Sequence, residues 1–527
     1  MKSSVTFLLV LLCSCISLTA QQFDWVTNYE VRYQFSPGVP RQNLCKGNNS
    51  EIWTARNDSI VSAGSMKAFG TLLIERRSQN GNILQTIHLG TEAHIVDMVV
   101  DPNDQLFIAG YFINVLDIDG QDTLQHSGGV LVDDPFLLCF ASNGNLLWKR
   151  NLNAGLTNDV LLYRLALSPN GWVYYARTNF TDGYICRLDT NGHDAAQVVL
   201  GNVRTIGDIS FDPNGNLFVA GGTGNGSPFT AGGLSVNVPD SYMMFLLRLN
   251  SMGQGSWVHL AHDITFQTPH LTTDAFGNAY IAGELFDTLS WGNLQFQGPD
   301  WVYDFFLAKV DSNGTFLWGK EAPNPSGGIV GDFQLANFRS INADPNGNIV
   351  LCGNQRGSID WGFGIQTSNP ILSQYNLGIV YFDASGQTQW AKNIIDRSSY
   401  KQMHQVMHQD GNWYFSASLT QSPNITFDTI NIALPYFQNA LFARISNTTI
   451  GIEETATENM SLYPNPGTGI FQLPNHIRPQ SPICVYNTEG RMVKQVPITE
   501  KQIDLSQFPK GMYLINCEGL QTKIILQ

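Results

Sequence analysis

Aspartates and asparagines set beside glycines are the first residues in this chain whose type and spacing suggest chemistry. Asp311-Ser312-Asn313-Gly314 and Asp189-Thr190-Asn191-Gly192 begin like a calcium loop. Such a loop places glycine sixth and a bidentate Glu twelfth, whereas here glycine comes fourth and no Glu follows. Asn and Asp also suit tight turns, because their side chains hydrogen-bond the local backbone and tolerate left-handed φ. Turn chemistry is therefore expected and a metal is not. His404 and His408 lie four apart on a predicted strand, hence on one face, without a third ligand; His259 and His262 fall on opposite faces of a regular strand. No G-x-S-x-G, P-loop or dinucleotide fingerprint occurs, so no cofactor is expected.

Aromatic residues give a second chemistry, stacking on sugars or docking a protein. Five long connections, roughly residues 114–135, 222–243, 284–304, 354–377 and 420–439, carry Trp291, Trp301, Tyr303, Trp361, Tyr375 and Tyr436, the candidate ligand-binding residues. Several also read as the inner face of an extra hairpin, as in SWGNLQF, which would make them packing residues. Residues 311–318 resemble the Asp-box of sialidases, which would imply a glycoside hydrolase. The spacing is Asp-x-x-Gly rather than Asp-x-Gly, however, and the arginines that would hold a carboxylate are scattered without a motif.

These residues are positioned by a repeat. Residues 208–221, DISFDPNGNLFVAG, read as strand, tight turn, strand. Variants recur as DPNDQLFIAG from Asp101, SPNGWVYYAR from Ser168, DAFGNAYIAG from Asp274, DPNGNIVLCG from Asp344 and HQDGNWYFSA from His408, with a weaker copy, ARNDSIVSAG, from Ala55. A second hairpin follows, clearest in FLAKVDSNGTFLW ending at Trp318, with related runs ending at Trp148, Trp257 and Trp390. Two linked hairpins make a four-stranded antiparallel sheet, and seven such units fit a β-propeller better than a solenoid. The pattern resembles bacterial propeller-repeat proteins over roughly residues 23–449. The expected fold is all-β, a seven-bladed propeller (21–450) followed by a small β-sandwich.

The seventh unit has three strands, at residues 403–409, 413–418 and 441–445, but no Trp-bearing fourth. Residues 23–28 resemble that missing strand. An unclosed propeller leaves a costly free edge, so the N-terminal segment is expected to pair with residues 441–445 and close the ring. Strand parity then puts all the tight turns on one face of the disc and the variable connections on the other.

The chain of 527 residues is 43% hydrophobic and 14% charged with a net charge of −14. It can bury a large core, and its acidity without a basic run argues against nucleic acid and anionic membrane surfaces. Residues 1–20 look like a secretory signal peptide, and no later run is long enough for a transmembrane helix. Cys139, Cys186 and Cys352 sit in separate strands without C-x-x-C spacing, as core residues do. Cys484 and Cys517 both fall on predicted strands of the tail and could pair.

Beyond an acidic linker at 451–458 the pattern changes to short strands and Gly turns. The tail, residues 459–527, resembles the C-terminal sorting domain of type IX secretion cargo in Bacteroidetes. The matching residues are Tyr463-Pro464-Asn465-Pro466, Val485-Tyr486 with Gly490-Arg491, Asp504-Leu505-Ser506, Lys510-Gly511-Met512-Tyr513-Leu514 and Lys523-Ile524-Ile525-Leu526. The resemblance implies Tyr463, Pro464, Asn465, Pro466, Gly490, Gly511, Tyr513 and Lys523 as sorting residues. It also implies the type IX translocon and its sorting protease as partners, and a secreted or outer-surface location. The leading expectation is a non-enzymatic binding protein for a glycan or protein; the alternative is a propeller-fold hydrolase or lyase acting on polysaccharide.

Overall fold

The computed structural model describes residues 19–527 apart from 34–40, 64–66, 129–132, 155–159, 241–242, 263–267, 286–287, 299–303, 323–330, 369–373, 396–400, 450–461, 474–481, 488–491, 498 and 518–519. The expected linker and all but Thr19 and Ala20 of the expected signal peptide lie outside the described residues. Every regular element described is a β-strand, and no helix is long and apolar enough to cross a membrane. Contacts divide the chain into two compact units, Gln21–Asn447 and Thr448–Gln527 with Met1–Ala20.

The recurring turn is built by its own aspartate. In DPNGN, Asp212 Oδ1 accepts the N–H groups of Asn214 (2.9 Å) and Asn216 (2.8 Å), and Oδ2 accepts Asn216 Nδ2 (2.7 Å). Asp274 and Asp344 repeat all three bonds. Asp189 and Asp311 hold their turns by the two backbone bonds. The left-handed φ falls on the glycine in each case, for example 78° at Gly215 and 88° at Gly314, which is why that position needs a residue without Cβ.

Paired antiparallel strands follow in successive runs of four. The first holds Asn43–Lys46, Ile52–Asn57, Ala68–Arg77 and the start of Ile83–Val100, a long strand whose second part opens the next run with Leu106–Phe112, Asp134–Phe140 and Leu146–Asn151. The third holds Leu161–Leu167, Val173–Thr178, Gly183–Leu188 and Asp194–Gly201; the fourth holds Val203–Phe211, Leu217–Thr223, Met243–Leu249 and Gly255–His262. His270–Thr273, Ala279–Leu285, Asp304–Val310 and Phe316–Glu321 make the fifth. In the sixth, Asp332–Leu335 and Ile341–Ala343 both pair with Ile349–Arg356, ahead of Asn376–Phe382 and Thr388–Ile394. The seventh is Lys401–Gln409, Asn412–Phe427, Ile430–Thr449 and the N-terminal strand Thr19–Glu30.

The innermost strands touch one another in cyclic order, and Lys401–Gln409 returns to Asn43–Lys46. This is a ring of radial sheets, the architecture of a β-propeller. Apolar clusters lie between neighbouring sheets, as where Phe218 and Leu246 of the fourth run meet Ile281, Phe306 and Phe316 of the fifth.

The Trp and Gly of the second hairpin turn out to be partners across units. A Cβ on Gly192 would lie 2.6 Å from Trp148, on Gly314 3.1 Å from Trp257, and on Gly386 2.9 Å from Trp318. Each Trp therefore lies against the turn of the next unit, and Trp257 Nε1 and Trp318 Nε1 also donate to backbone oxygens there (3.1 and 3.2 Å). Trp25 does the same across the closure: Gly81 has room for no Cβ beside it (3.1 Å), and its Nε1 donates to Gln79 O at 3.0 Å. Phe23 is buried against Phe415 and Phe427, Asp24 accepts from Arg444 Nε and Ser446 Oγ (2.8 Å each), and Arg77 Nη1 donates to Tyr29 OH at 2.7 Å. The first strand thus acts as the fourth strand of the seventh unit while gripping the first.

The first unit begins earlier than ARNDSIVSAG. Its inner hairpin is Asn43–Lys46 against Ile52–Asn57, around Gly47-Asn48-Asn49-Ser50, with Asn49 and Ser50 at φ 54° and 61°. This turn lacks the Asp-Pro-Asn-Gly order that marks the clearest of the others.

In the tail, Ile470–Gln472 pairs with Gln502–Asp504, and Met492–Val496, Ile483–Tyr486, Gly511–Cys517 and Leu520–Leu526 form a second sheet. Phe471, Ile483, Val485, Ile503, Ile515 and Ile524 are fully buried between them. Cys484 is a free thiol rather than half of a pair with Cys517.

Candidate functional site

A cavity of about 750 Å³ opens on the ring axis at the end that carries the DPNG-type turns. Its walls are the last residues of the inner strands and the turns themselves, and Arg339 forms its floor. Most wall carboxylates are already engaged, since Asp212, Asp274 and Asp344 hold their own turns. Lys46, His408 and Asp410 on its wall are in none of these turn bonds. Lys46 is exposed to the cavity yet surrounded by protein, and burial pushes its ammonium below the usual lysine range. His408, packed against Trp413 at 4.6 Å, is pushed down to about 4, first by burial and then by Lys46.

Beneath the cavity the axis is crossed by a polar layer. Six inner strands place a polar residue four positions before the first residue of the turn: Asn43, Asp97, Arg164, Asp208, His270 and Ser340; Gln405 does the same job ahead of the shorter seventh turn. All seven are buried. Inner strands of adjacent blades share no continuous ladder, so these side chains join them. Asp97 Oδ2 accepts Leu165 N (2.9 Å), Asp208 Oδ2 accepts Leu271 N (3.3 Å), Gln405 Oε1 accepts Leu44 N (2.9 Å), and Asn43 Nδ2 donates to Val96 O (3.0 Å). His270 Nδ1 lies 2.6 Å from Ser340 Oγ.

Arg339 spans this layer. Its Nη2 donates to Asp97 Oδ2 (2.9 Å), Asp208 Oδ1 (3.3 Å) and Leu165 O (3.3 Å), tying the sixth unit to the second, third and fourth. The two carboxylates raise the Arg339 guanidinium above its usual range despite burial. Burial pushes Asp97 up, against the pull of Arg339 and Arg164. Two acids therefore converge on the axis, but each also accepts two backbone N–H groups, those of Met98 and Leu165 for Asp97 and those of Ile209 and Leu271 for Asp208.

Sequence reasoning placed the ligand site on aromatic loops, and the structure moves much of it inward. Trp291 is fully buried, edge-on to Phe306 (5.7 Å) and close to Phe316 (5.6 Å), on the small hairpin Leu289–Trp291 and Leu294–Phe296. Trp361 is 6% exposed between Phe305 and Phe333, and its Nε1 donates to Thr367 Oγ1 at 2.7 Å. Both are packing residues of extra hairpins, because an amphipathic hairpin laid on a sheet buries its largest ring first. Tyr375 is half-buried beside Arg356, while Tyr436 is 37% exposed. Trp301 and Tyr303 lie outside the described residues. His404 and His408 are not brought together as ligands. His404 sits between Asn337 Oδ1 and Ser418 Oγ (2.7 Å each), and His408 faces the cavity. Among the described residues no group of three His, Cys, Asp or Glu is arranged to hold a metal.

In the tail, Tyr463, Pro464, Asn465, Pro466, Gly511 and Lys523 are exposed, Tyr513 is buried with its hydroxyl donating to Pro509 O (2.6 Å), and Gly490 lies outside the described residues. Asn465 fixes the exposed motif to the last strand: its Nδ2 donates to Lys523 O (2.7 Å) and its Oδ1 accepts Ile525 N (2.9 Å).

A propeller ring and a small sandwich with an exposed motif define a modular all-β protein. Residues 461–527 match the family described as the secretion system C-terminal sorting domain, so the chain is handled by the type IX system and goes to the cell surface or beyond. Beta-agarase A of Zobellia galactanivorans is 38% identical over 79 residues, 14% of this chain and 15% of that one. The chain thus spans a small part of that relative. Among solved structures, a protein of unknown function from Bacteroides caccae is similar at 11% identity with a TM-score of 0.34, covering 67% of this chain and 94% of that one. A catalytically inactive virginiamycin B lyase from Staphylococcus aureus with quinupristin is similar at 9% identity and TM-score 0.40, over 80% and 99%. Drosophila plexin A in complex with semaphorin 1b is similar at 8% identity and TM-score 0.40, over 92% and 97%.

Proposed function

We propose that this is a non-enzymatic binding protein, exported through the type IX translocon, trimmed by its sorting protease, and using a seven-bladed ring to hold a glycan or protein segment end-on in the axial cavity. The observation that carries the reading is the cavity of about 750 Å³ with Lys46, His408 and Asp410 on its wall. A volume of that size and polarity suits a small saccharide or a chain end. The ligand-facing surface is thereby assigned to the turn-bearing mouth rather than to the variable connections.

A polysaccharide hydrolase or lyase on the same scaffold would need acids free to exchange protons. Asp97 and Asp208, which converge on the axis, are instead held by backbone amides and Arg339, which weighs toward binding. The test is a glycan-array and peptide-array screen of the full chain beside a Lys46→Ala/Asp410→Asn variant. Hits that the variant loses at least tenfold support the cavity. Unchanged hits would move the site elsewhere on the ring, and turnover of a bound polysaccharide would replace binding by catalysis.

A further inference from the structure

Three guanidinium groups gather around one phenyl ring on the axis. The Cζ atoms of Arg164, Arg41 and Arg339 lie 4.3, 4.8 and 5.4 Å from the centroid of Phe338, which is itself fully buried. Among the described residues two carboxylates answer them, Asp97 and Asp208, and both bond to Arg339. Arg164 reaches Asp208 Oδ1 through its Nε at 3.5 Å and donates to Tyr163 O and Phe338 O (3.0 and 3.1 Å). Arg41 has the Phe338 ring as its contact and no ion pair among the described residues, although Asp97 is near enough to favour its charge.

The histidines nearby do not alter the charge. His270 and His404 are each pushed down to about 3, first by burial and then by Arg164 and Arg41 respectively, and burial holds His94 well below its usual range. Lys67 is balanced by Asp133 at 2.5 Å. Burial and Arg164 lower Arg41 only to about 10, so it stays charged at neutral pH. Among the described residues the layer therefore holds three cations against two anions, and the unmatched charge favours an anion from solution. Arg41 is half-buried and so open to a small ion. It precedes Asn43–Lys46, whose far end, Lys46, reaches the axial cavity, so it faces the opposite mouth of the ring.

We propose that this layer is an oxyanion site, in which Arg41, with Arg164 beside the same ring, receives a single carboxylate or sulfate ester group of an acidic ligand. A planar guanidinium already stacked on an aromatic ring loses little freedom in pairing with either group, and its parallel N–H donors match both.

The experiment is calorimetric titration of the full chain at pH 7 and low ionic strength with D-galacturonate, D-galactose 6-sulfate and D-galactose, on the wild type and on Arg41→Gln. At least one charged sugar is expected to bind ten times or more tighter than galactose, and Arg41→Gln to remove that advantage. The two charged probes separate carboxylate from sulfate. Without any probe, Arg41→Gln is expected to melt no lower than the wild type, because it removes an unbalanced charge. Equal binding of the three sugars, an advantage that survives Arg41→Gln, or a melting point lowered by several degrees in that variant would each overturn the site. Lys46→Ala should leave this binding intact, so failure here and failure of the cavity reading are told apart.

Discussion

The ring and the tail use the same strand chemistry to opposite ends. In the tail a dozen apolar side chains close one small core and the conspicuous motif is left outside, with Tyr463 51% exposed. In the ring the conspicuous residues face inward and across, with Trp148, Trp257 and Trp318 on the next unit's glycine and Asn43, Asp97, Asp208 and Gln405 on the next unit's backbone. The difference is one of reach. A tail residue answers to neighbours in a single core, whereas a ring residue answers to a sheet supplied by a distant part of the chain.

The strongest way to break that comparison is to open the ring. Removing residues 21–30 takes away Phe23, Trp25 and the Asp24 bonds, and leaves Ile430–Thr449 as a bare edge. Loss of a buried Phe alone costs about 3–5 kcal/mol, before the lost strand is counted. The ring is expected to lose its cooperative unfolding in differential scanning calorimetry while the tail keeps its own transition. A ring transition unmoved by the deletion would show the closure to be dispensable.

Next in size is the axis. Arg339→Met takes from Asp97 and Asp208 the guanidinium that bonds both, leaving Arg164 at 3.5 Å from Asp208 and Arg41 farther off, and breaking a buried ion pair from one side costs about 3–5 kcal/mol. The loss should appear in a urea midpoint for the ring. In the tail, Phe471→Ala removes a fully buried ring of similar size and should cost about 3–5 kcal/mol in the tail transition alone. If either substitution lowers both transitions equally, the two regions do not unfold separately.

Acid supplies a graded test. The folded forms of His270 and His404 sit at about 3, below the unfolded value near 6.5. Their folded pKa is depressed, so the unfolded chain binds more protons between those limits. Stability from these two groups is intact above pH 6.5 and lost as pH falls toward 3. The loss is about 3 kcal/mol per histidine by pH 4. His404→Gln should flatten the dependence of the ring's urea midpoint on pH over that window; an equally steep dependence in the variant would assign the acid sensitivity elsewhere.

Legibility followed the same division. Turns and Trp strands were readable because several units solve them with the same residues: Asp and Asn bond the turn, Gly takes left-handed φ, and a Trp covers the Gly of the second hairpin. The axial layer was not, because Asn43, Asp97, Arg164, Asp208, His270, Ser340 and Gln405 perform one geometric task with six residue types. Their constant offset from the turn was the available signal, since any residue there points at the axis whatever its chemistry. The first unit hid for a related reason: Gly47-Asn48-Asn49-Ser50 makes its reversal with φ of 54° and 61° on Asn49 and Ser50, without the Pro-Asn-Gly spelling used elsewhere. Trp291 and Trp361 were legible as large aromatics on long connections, but whether such a ring faces water or sheet depends on the register of a three-residue hairpin. No periodicity that short can fix it.

The smallest effect separates those two roles of an aromatic. Tyr436 is 37% exposed, and Tyr436→Ala should change ring stability by no more than about 0.5 kcal/mol, as for surface positions generally. Trp291→Ala, by contrast, should cost about 3–5 kcal/mol, since the indole fills the space between Phe306 and Phe316 and Gly292 beside it has room for no Cβ. Measured side by side in urea, the pair asks whether the extra hairpins belong to the core or only lie upon it. A mild Trp291→Ala would mean that the hairpin can lift off and present the indole to a ligand, which returns the variable-connection face to contention as a binding surface. A severe one, with Tyr436→Ala silent, leaves that face only its exposed side chains and strengthens the case for the axial mouth.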